Sequence, residues 1–126
     1  MKRLISKKGP KAIGAYSVAT KVEDVIYSSG QIAIDPNTNQ MVEDDIKIQT
    51  QQVMNNLKNI LEENGSKLEN IIKANVFLTD IKEFSEFNEV YAQYFNNGDY
   101  PSRTAIEISA LPNNAKIEID VMAIVN

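Results

Sequence analysis

Arg103 stands two residues after Pro101, and Glu118 lies between Ile117 and Ile119, fifteen positions further on. A guanidinium presents a planar fork that fits a carboxylate through two parallel hydrogen bonds, so Arg103 suits a small acid. A carboxylate such as Glu118 can either pair with that arginine or take a proton from water. Together they could hold a small anion and direct water at it. A plainer reading is open as well: both belong to a solvated sheet face, where cross-strand ion pairs are common and contribute little. Glu107, Lys116 and Asp120 are alternative partners there, and spacing does not choose among them.

The composition narrows the chemistry. The 126 residues include no cysteine and no histidine, which removes thiolate nucleophiles, Cys/His zinc sites and Ser-His-Asp triads. Whatever chemistry exists must use Asp, Glu, Lys, Arg, Tyr, Ser, Asn, backbone or water, and no metal or organic cofactor is expected. A formal net charge of −4 argues against nucleic acid as a partner, since phosphate neutralisation needs clustered Lys and Arg. The basic run at the start, MKRLISKKGPKAIGAY, lacks an apolar stretch long enough for a signal segment, and no run is long enough to span a membrane. A soluble, cytoplasmic protein is the expectation. A chain of this length is expected to form one domain, residues 1–126.

The elements that must position these residues are legible from periodicity. Residues 25–34, VIYSSGQIAI, form a strand interrupted at Ser29-Gly30, where glycine signals a bulge or a close backbone approach. DPNTNQMV is a hairpin turn, with Asn39 able to take the left-handed conformation. From Asp44 or Asp45, apolar residues recur at helical spacing until Gly65 stops the run. NIIKANVFLT is the next strand. Asp80 and Glu83 then make a capping arrangement for a second helix with an aromatic stripe of Phe84, Phe87, Tyr91, Tyr94 and Phe95. Asn88 falls inside that stripe, and an unpaired buried amide costs roughly 1–3 kcal/mol. It must bridge to a loop or meet a ligand.

The last segment reads as two strands joined by a short turn, with Arg103, Ala105 and Glu107 on one face of the first. On the second strand, Lys116, Glu118, Asp120, Met122 and Ile124 oppose Ile117, Ile119, Val121, Ala123 and Val125. The pattern predicts an α+β sandwich, a mixed β-sheet with two helices packed on one face. Arg103 and Glu118 are expected together on the other face, uncovered by their own chain.

The stretches GAYS, YSSGQIAIDPNT, QQVMNNLKNILEENG, IIKANVFLTDIKEFSEFNEVY and, above all, YPSRTAIEISALPNNAKIEIDVMAI carry a likeness to a known family. Over essentially its whole length the chain resembles the RidA/YjgF family of reactive-intermediate, or imine, deaminases. The resemblance implies a chorismate-mutase-like fold and a homotrimer with active sites in clefts between subunits. It implies that Arg103 binds a substrate carboxylate and that Glu118, helped by the backbone carbonyl of Ala105, positions and activates water. Tyr16, Ser29, Gly30 and Asn88 match positions that line the pocket. The implied reaction is hydrolysis of 2-imino acids such as 2-iminobutanoate and 2-iminopropanoate, arising from 2-aminoacrylate-type enamines, to 2-keto acids and ammonia.

The chain departs from the family pattern at three positions. Ala15 stands where Gly-Pro-Tyr is usual, leaving the Tyr16 loop less rigid. Ala105 stands where cysteine is frequent, which excludes thiol chemistry there. Asn39 replaces a common turn glycine, and asparagine tolerates that conformation. A reading from another class is a non-catalytic regulatory module that binds a keto acid through the same arginine. Ribonuclease activity, attributed to some relatives, suits neither the acidic charge nor the lack of a histidine pair.

Overall fold

The computed structural model describes residues 1–125. The chain runs β1 (Lys2–Leu4), β2 (Ala19–Val22), β3 (Val25–Ser28), β4 (Ile34–Asp35), β5 (Gln40–Met41) and α1 (Ile46–Glu63). It continues with β6 (Ile71–Leu78), α2 (Phe84–Ala92), β7 (Ser102–Glu107) and β8 (Ile117–Ile124). Six strands build one sheet in the order β1-β2-β3-β8-β6-β7, while β4 and β5 form a separate hairpin. All pairings in the large sheet are antiparallel except that of β6 with β7. Parallel neighbours need a crossover, and α2 supplies it. The sheet is thus mixed, with both helices on one face, as the pattern predicts.

The core lies between that face and the helices. Ile117, Ile119, Val121 and Ala123 alternate inward along β8, and Ala74, Val76 and Leu78 do so along β6, all nearly inaccessible to water. Above them sit Val53, Leu57, Ile60 and Leu61 of α1 and Phe87 and Tyr91 of α2. Asp45 starts α1 by accepting the Ile48 N–H at 3.0 Å, and Gly65, at φ +86°, allows the chain to leave it. The hairpin turn has Asn39 at φ +60°, the left-handed conformation its sequence requires.

Two local expectations are revised. Asp80 does cap, accepting the Lys82 N–H at 2.9 Å, but it opens a 3₁₀ turn, Ile81–Glu83, ahead of α2. Glu83 does not reach back; it lies 3.6 Å from Lys116, which draws it across to the start of β8. A cation on a neighbouring element outcompetes the local amide.

The second revision decides the site. β7 and β8 are not neighbours, because β6 runs between them. Register places Arg103 beside Ala74 and Ala74 beside Val121, so Arg103 shares the helix-covered face with the core. Glu118 is level with Phe77 and lies on the opposite face. The expectation that Arg103 and Glu118 share a face is therefore incorrect. Two-residue alternation fixes the faces within each strand, but the relative phase of two strands is set by their pairing. Two strand spacings and three residues separate the two, roughly 10 Å in each direction, and the sheet itself lies between. An ion pair between them within one chain is excluded.

Two buried amides of α1 fasten loops. Asn56 donates through Nδ2 to Ile34 O at 2.9 Å while its Oδ1 accepts from Gln52 at 2.8 Å. Gln49 donates to Glu43 O at 3.2 Å and accepts the Lys116 N–H at 2.9 Å. Both fall on the helix's apolar stripe, and each finds partners there, Gln49 wholly on backbone and Asn56 on backbone and on Gln52.

Candidate functional site

Arg103 leaves β7 just after Pro101 and enters a pocket against α2. Its guanidinium carbon lies 5.3, 5.5 and 5.0 Å from the ring centres of Phe84, Phe87 and Tyr91. Nη1 donates to Asn88 Oδ1 at 2.8 Å. Helical spacing places Phe84, Phe87, Asn88 and Tyr91 on one flank of α2, and cation–π attraction holds the guanidinium among them. Among the described residues Arg103 has no carboxylate partner. A half-buried cation without a carboxylate partner is free to accept an anion. The pocket, about 350 Å³, is completed by Ala92, Tyr100 and Pro101. The Tyr91 hydroxyl is buried there without a hydrogen-bond partner among the described residues, and burial, opposed by Arg103, pushes its pKa up.

Ala105 is half-buried two residues along the same strand. Ile108 donates its N–H to Leu78 O at 2.8 Å. In a parallel ladder that alternation turns the N–H and C=O groups of Arg103 and Ala105 outward, toward the unpaired edge of β7. The Ala105 carbonyl is thus presented at the rim of the molecule.

A second cleft, about 530 Å³, holds the other candidates: Tyr16, Ser29, Gly30 and Glu118 line it, with Lys11, Ile13, Ile32 and Ile34 among its walls. Its floor comes from an irregularity between β3 and β8. Tyr27 pairs with Met122 and Gln31 with Ile119, so four steps on one strand oppose three on the other. The extra residue is a bulge, as Ser29-Gly30 suggests. Ser28 Oγ accepts the Val121 N–H at 2.9 Å, and Ser29 Oγ donates to Ser17 O at 2.6 Å. The bulge brings the Gly30 backbone against the Glu118 side chain.

That contact accounts for the glycine. A Cβ at position 30 would sit 2.6 Å from Glu118 Cδ and 2.7 Å from its Oε2. Burial raises the Glu118 pKa above the usual carboxylate value, and the nearby Asp120 charge adds to it. Asp120 itself accepts from Asn75 Nδ2 at 2.8 Å. Gly30→Ala is expected to displace the Glu118 carboxyl toward water and bring its pKa down toward the ordinary range. An NMR titration of the Glu118 carboxyl carbon in both proteins checks this; an unmoved titration would contradict the contact.

The seven sequence-derived residues therefore separate into two half-sites: Arg103 with Asn88 beside Ala105, and Glu118 with Tyr16, Ser29 and Gly30. Asn88 resolves as a direct partner of Arg103. Sequence reasoning missed Tyr91 as a pocket wall, Asn56, which holds Ile34 at the wall of the Glu118 cleft, and Gln49, which ties Glu43 to Lys116. The signal was present for the two amides: both interrupt the apolar stripe of α1 as Asn88 interrupts that of α2. No group of acidic residues among the described ones is arranged to hold a metal ion, and no helix there is long and apolar enough to cross a membrane.

Comparison with known proteins adds to this geometry. A family model described as Endoribonuclease L-PSP matches residues 6–125. A RutC family protein from Sulfurisphaera tokodaii is 47% identical over 122 residues, covering 97% of this chain and 97% of that protein. The human 2-iminobutanoate/2-iminopropanoate deaminase is 41% identical over 125 residues, 98% of this chain and 90% of the human one. Among solved structures, E. coli TdcF with bound serine is similar at a TM-score of 0.93 and 32% identity, covering all of both chains.

Proposed function

The chain belongs to the RidA/YjgF family, and from that membership we propose that it is a hydrolase of 2-imino acids, converting 2-iminobutanoate or 2-iminopropanoate to the 2-keto acid and ammonia. The observation that carries this reading is the Arg103 guanidinium, held by Asn88 and three aromatic rings with no carboxylate of its own among the described residues. It would take the substrate carboxylate. Similarity to the human imine deaminase supports the reaction, and bound serine in TdcF supports an amino-acid-sized ligand. The description of the family model as an endoribonuclease fits less well with a net charge of −4 and no histidine.

The reaction asks little of the protein. Glu118, as carboxylate, removes one proton from a water placed over the C=N carbon while the Ala105 carbonyl accepts a hydrogen bond from that water's other O–H. The C–O bond forms as the nitrogen takes up a proton. The resulting carbinolamine passes its hydroxyl proton, by way of the Glu118 carboxyl, to nitrogen as the C–N bond breaks, so that ammonia leaves and the C=O of the keto acid forms. Imines are electrophilic already, so orientation supplies most of the gain. Neither metal nor organic cofactor is required for these steps.

Because the half-sites lie on opposite faces of one sheet, the working site is proposed to form in a homotrimer, with Arg103 from one subunit facing Glu118 from the next. Two features support assembly. Tyr27, Ile106 and Ile124 on the helix-free face are 42%, 44% and 43% exposed, beside Phe77 and Met122. The open edge of β7 offers the Ala105 carbonyl outward. The test is to generate the imine in situ, trap it with semicarbazide and follow loss of the semicarbazone on adding protein, with sedimentation on the same preparation. Absence of turnover, together with tight keto-acid binding, would favour the regulatory module instead.

A further inference from the structure

α1 ends on a carboxylate where a helix favours a cation. Glu63 is its last residue, and no basic residue stands in the final turn, so its charge opposes the helix dipole. The side chain is committed to the start of the chain. Oε1 accepts from Ser6 Oγ at 2.7 Å and from the Lys8 N–H at 3.0 Å, and Oε2 accepts from the Lys7 N–H at 2.8 Å. Asn64 adds a bond from Nδ2 to Ile5 O at 3.0 Å, and Ser6 Oγ accepts from the Gly9 N–H at 2.9 Å. Slight burial pushes the Glu63 carboxyl up, but the Lys7 amide, the Ser6 hydroxyl and Lys8 outweigh it and bring its pKa below the usual value.

Immediately after this clamp, residues 11–16 are all exposed. Lys11, Ile13 and Tyr16 of that run wall the Glu118 cleft. Beyond it the chain is caught again, where Ser17 and Val18 accept from Ser29. Inside the run, the Ile13 N–H donates to Tyr16 Oη at 3.3 Å, and Gly14 sits at φ +118°. No proline restricts residues 11–16, so their order depends on how firmly the two ends are held.

We infer that Glu63 is a positioning residue for the cleft: by gripping residues 6–9 it sets where the loop from Lys11 to Tyr16 lies, and hence how Tyr16 meets a ligand beside Glu118. The identity of that ligand rests on the proposed deaminase reading, but the order of the loop does not. With the grip released, binding must order the loop, a cost felt in ligand affinity while the reacting groups stay in place.

The test compares full-length Glu63→Ala and Glu63→Gln with the wild-type protein. Amide exchange at Lys7, Lys8 and Ile13, whose N–H groups have acceptors to lose, is expected to quicken about tenfold or more in Glu63→Ala, with β6 and β8 as protected as before. KM for 2-iminobutanoate should rise roughly three- to tenfold with kcat within about twofold. Glu63→Gln keeps one carbonyl acceptor but turns an amide N–H₂ toward the donors, and should fall between. Should the wild type show no turnover, the affinity for 2-oxobutanoate by calorimetry replaces KM, and the loop test still stands. Unchanged exchange in residues 6–16 would overturn the inference, as would faster exchange with KM or affinity unmoved. A fall in kcat accompanied by lost protection in β6 and β8 would also overturn it, marking general damage.

Discussion

Arg103→Ala is expected to remove nearly all imine hydrolysis, with kcat/KM falling roughly 10²–10⁴-fold. Two charge-assisted hydrogen bonds to a carboxylate are worth about 1.5–3 kcal/mol each, and each 1.4 kcal/mol is a factor of ten. Arg103→Lys should rescue little. A lysine brings a point charge on a flexible stem, and the Phe84, Phe87 and Tyr91 rings with Asn88 are spaced around a planar fork. Stability should suffer far less than activity, since a partly exposed cation–π contact contributes about 0.5–2 kcal/mol. The semicarbazone assay beside a thermal melt separates the two effects. Full turnover in a folded Arg103→Ala protein would remove the carboxylate clamp.

Glu118→Gln is expected to lower kcat by about 10²–10⁴-fold, the usual contribution of a positioned base. The wild-type rate should decline as pH falls through the raised pKa of Glu118, because only the ionised form takes a proton. In the glutamine variant that acid limb should be lost from what activity remains. Stability should move the opposite way. A carboxyl whose folded pKa lies above its unfolded value binds more protons folded than unfolded between the two values. Its contribution is fully present below the unfolded pKa and lost as pH rises through the folded one. At pH 7–8 the half-buried charge beside Asp120 therefore burdens the fold of each subunit, and Glu118→Gln should melt higher than wild type. Below the ordinary carboxylate range that advantage should vanish. Calorimetry at pH 8 and pH 4 checks the sign, and a lower melting temperature at pH 8 would contradict it.

Much of the fold was legible because each element declares its own period. The α1 stripe, its start at Asp44 or Asp45, the Gly65 stop, the left-handed Asn39 and the Ser29-Gly30 interruption all follow from local pattern and sterics, and all are observed. What alternation could not supply was the phase between strands. Arg103 and Glu118 each fit their local pattern, yet β6, some thirty residues earlier, separates β7 from β8 and sends the two side chains to opposite faces. The same limit explains Glu83: Asp80 was a visible cap, whereas Lys116 becomes a neighbour only through the tertiary fold. Candidate site residues were legible through the family likeness and through amides in apolar stripes. Their division into two half-sites required the sheet order.

The crossover from β6 through α2 to β7 gathers the Arg103 pocket from a single continuous piece of chain, so its contacts close over short loops. The Glu118 cleft, with its proposed base, is stitched mostly from the opening third and the final strand, and must wait for distant segments to meet. A chain that had frayed at its beginning could therefore still capture an anion while having lost the means to transform it. Binding and turnover would then decay at different points along the same denaturation curve.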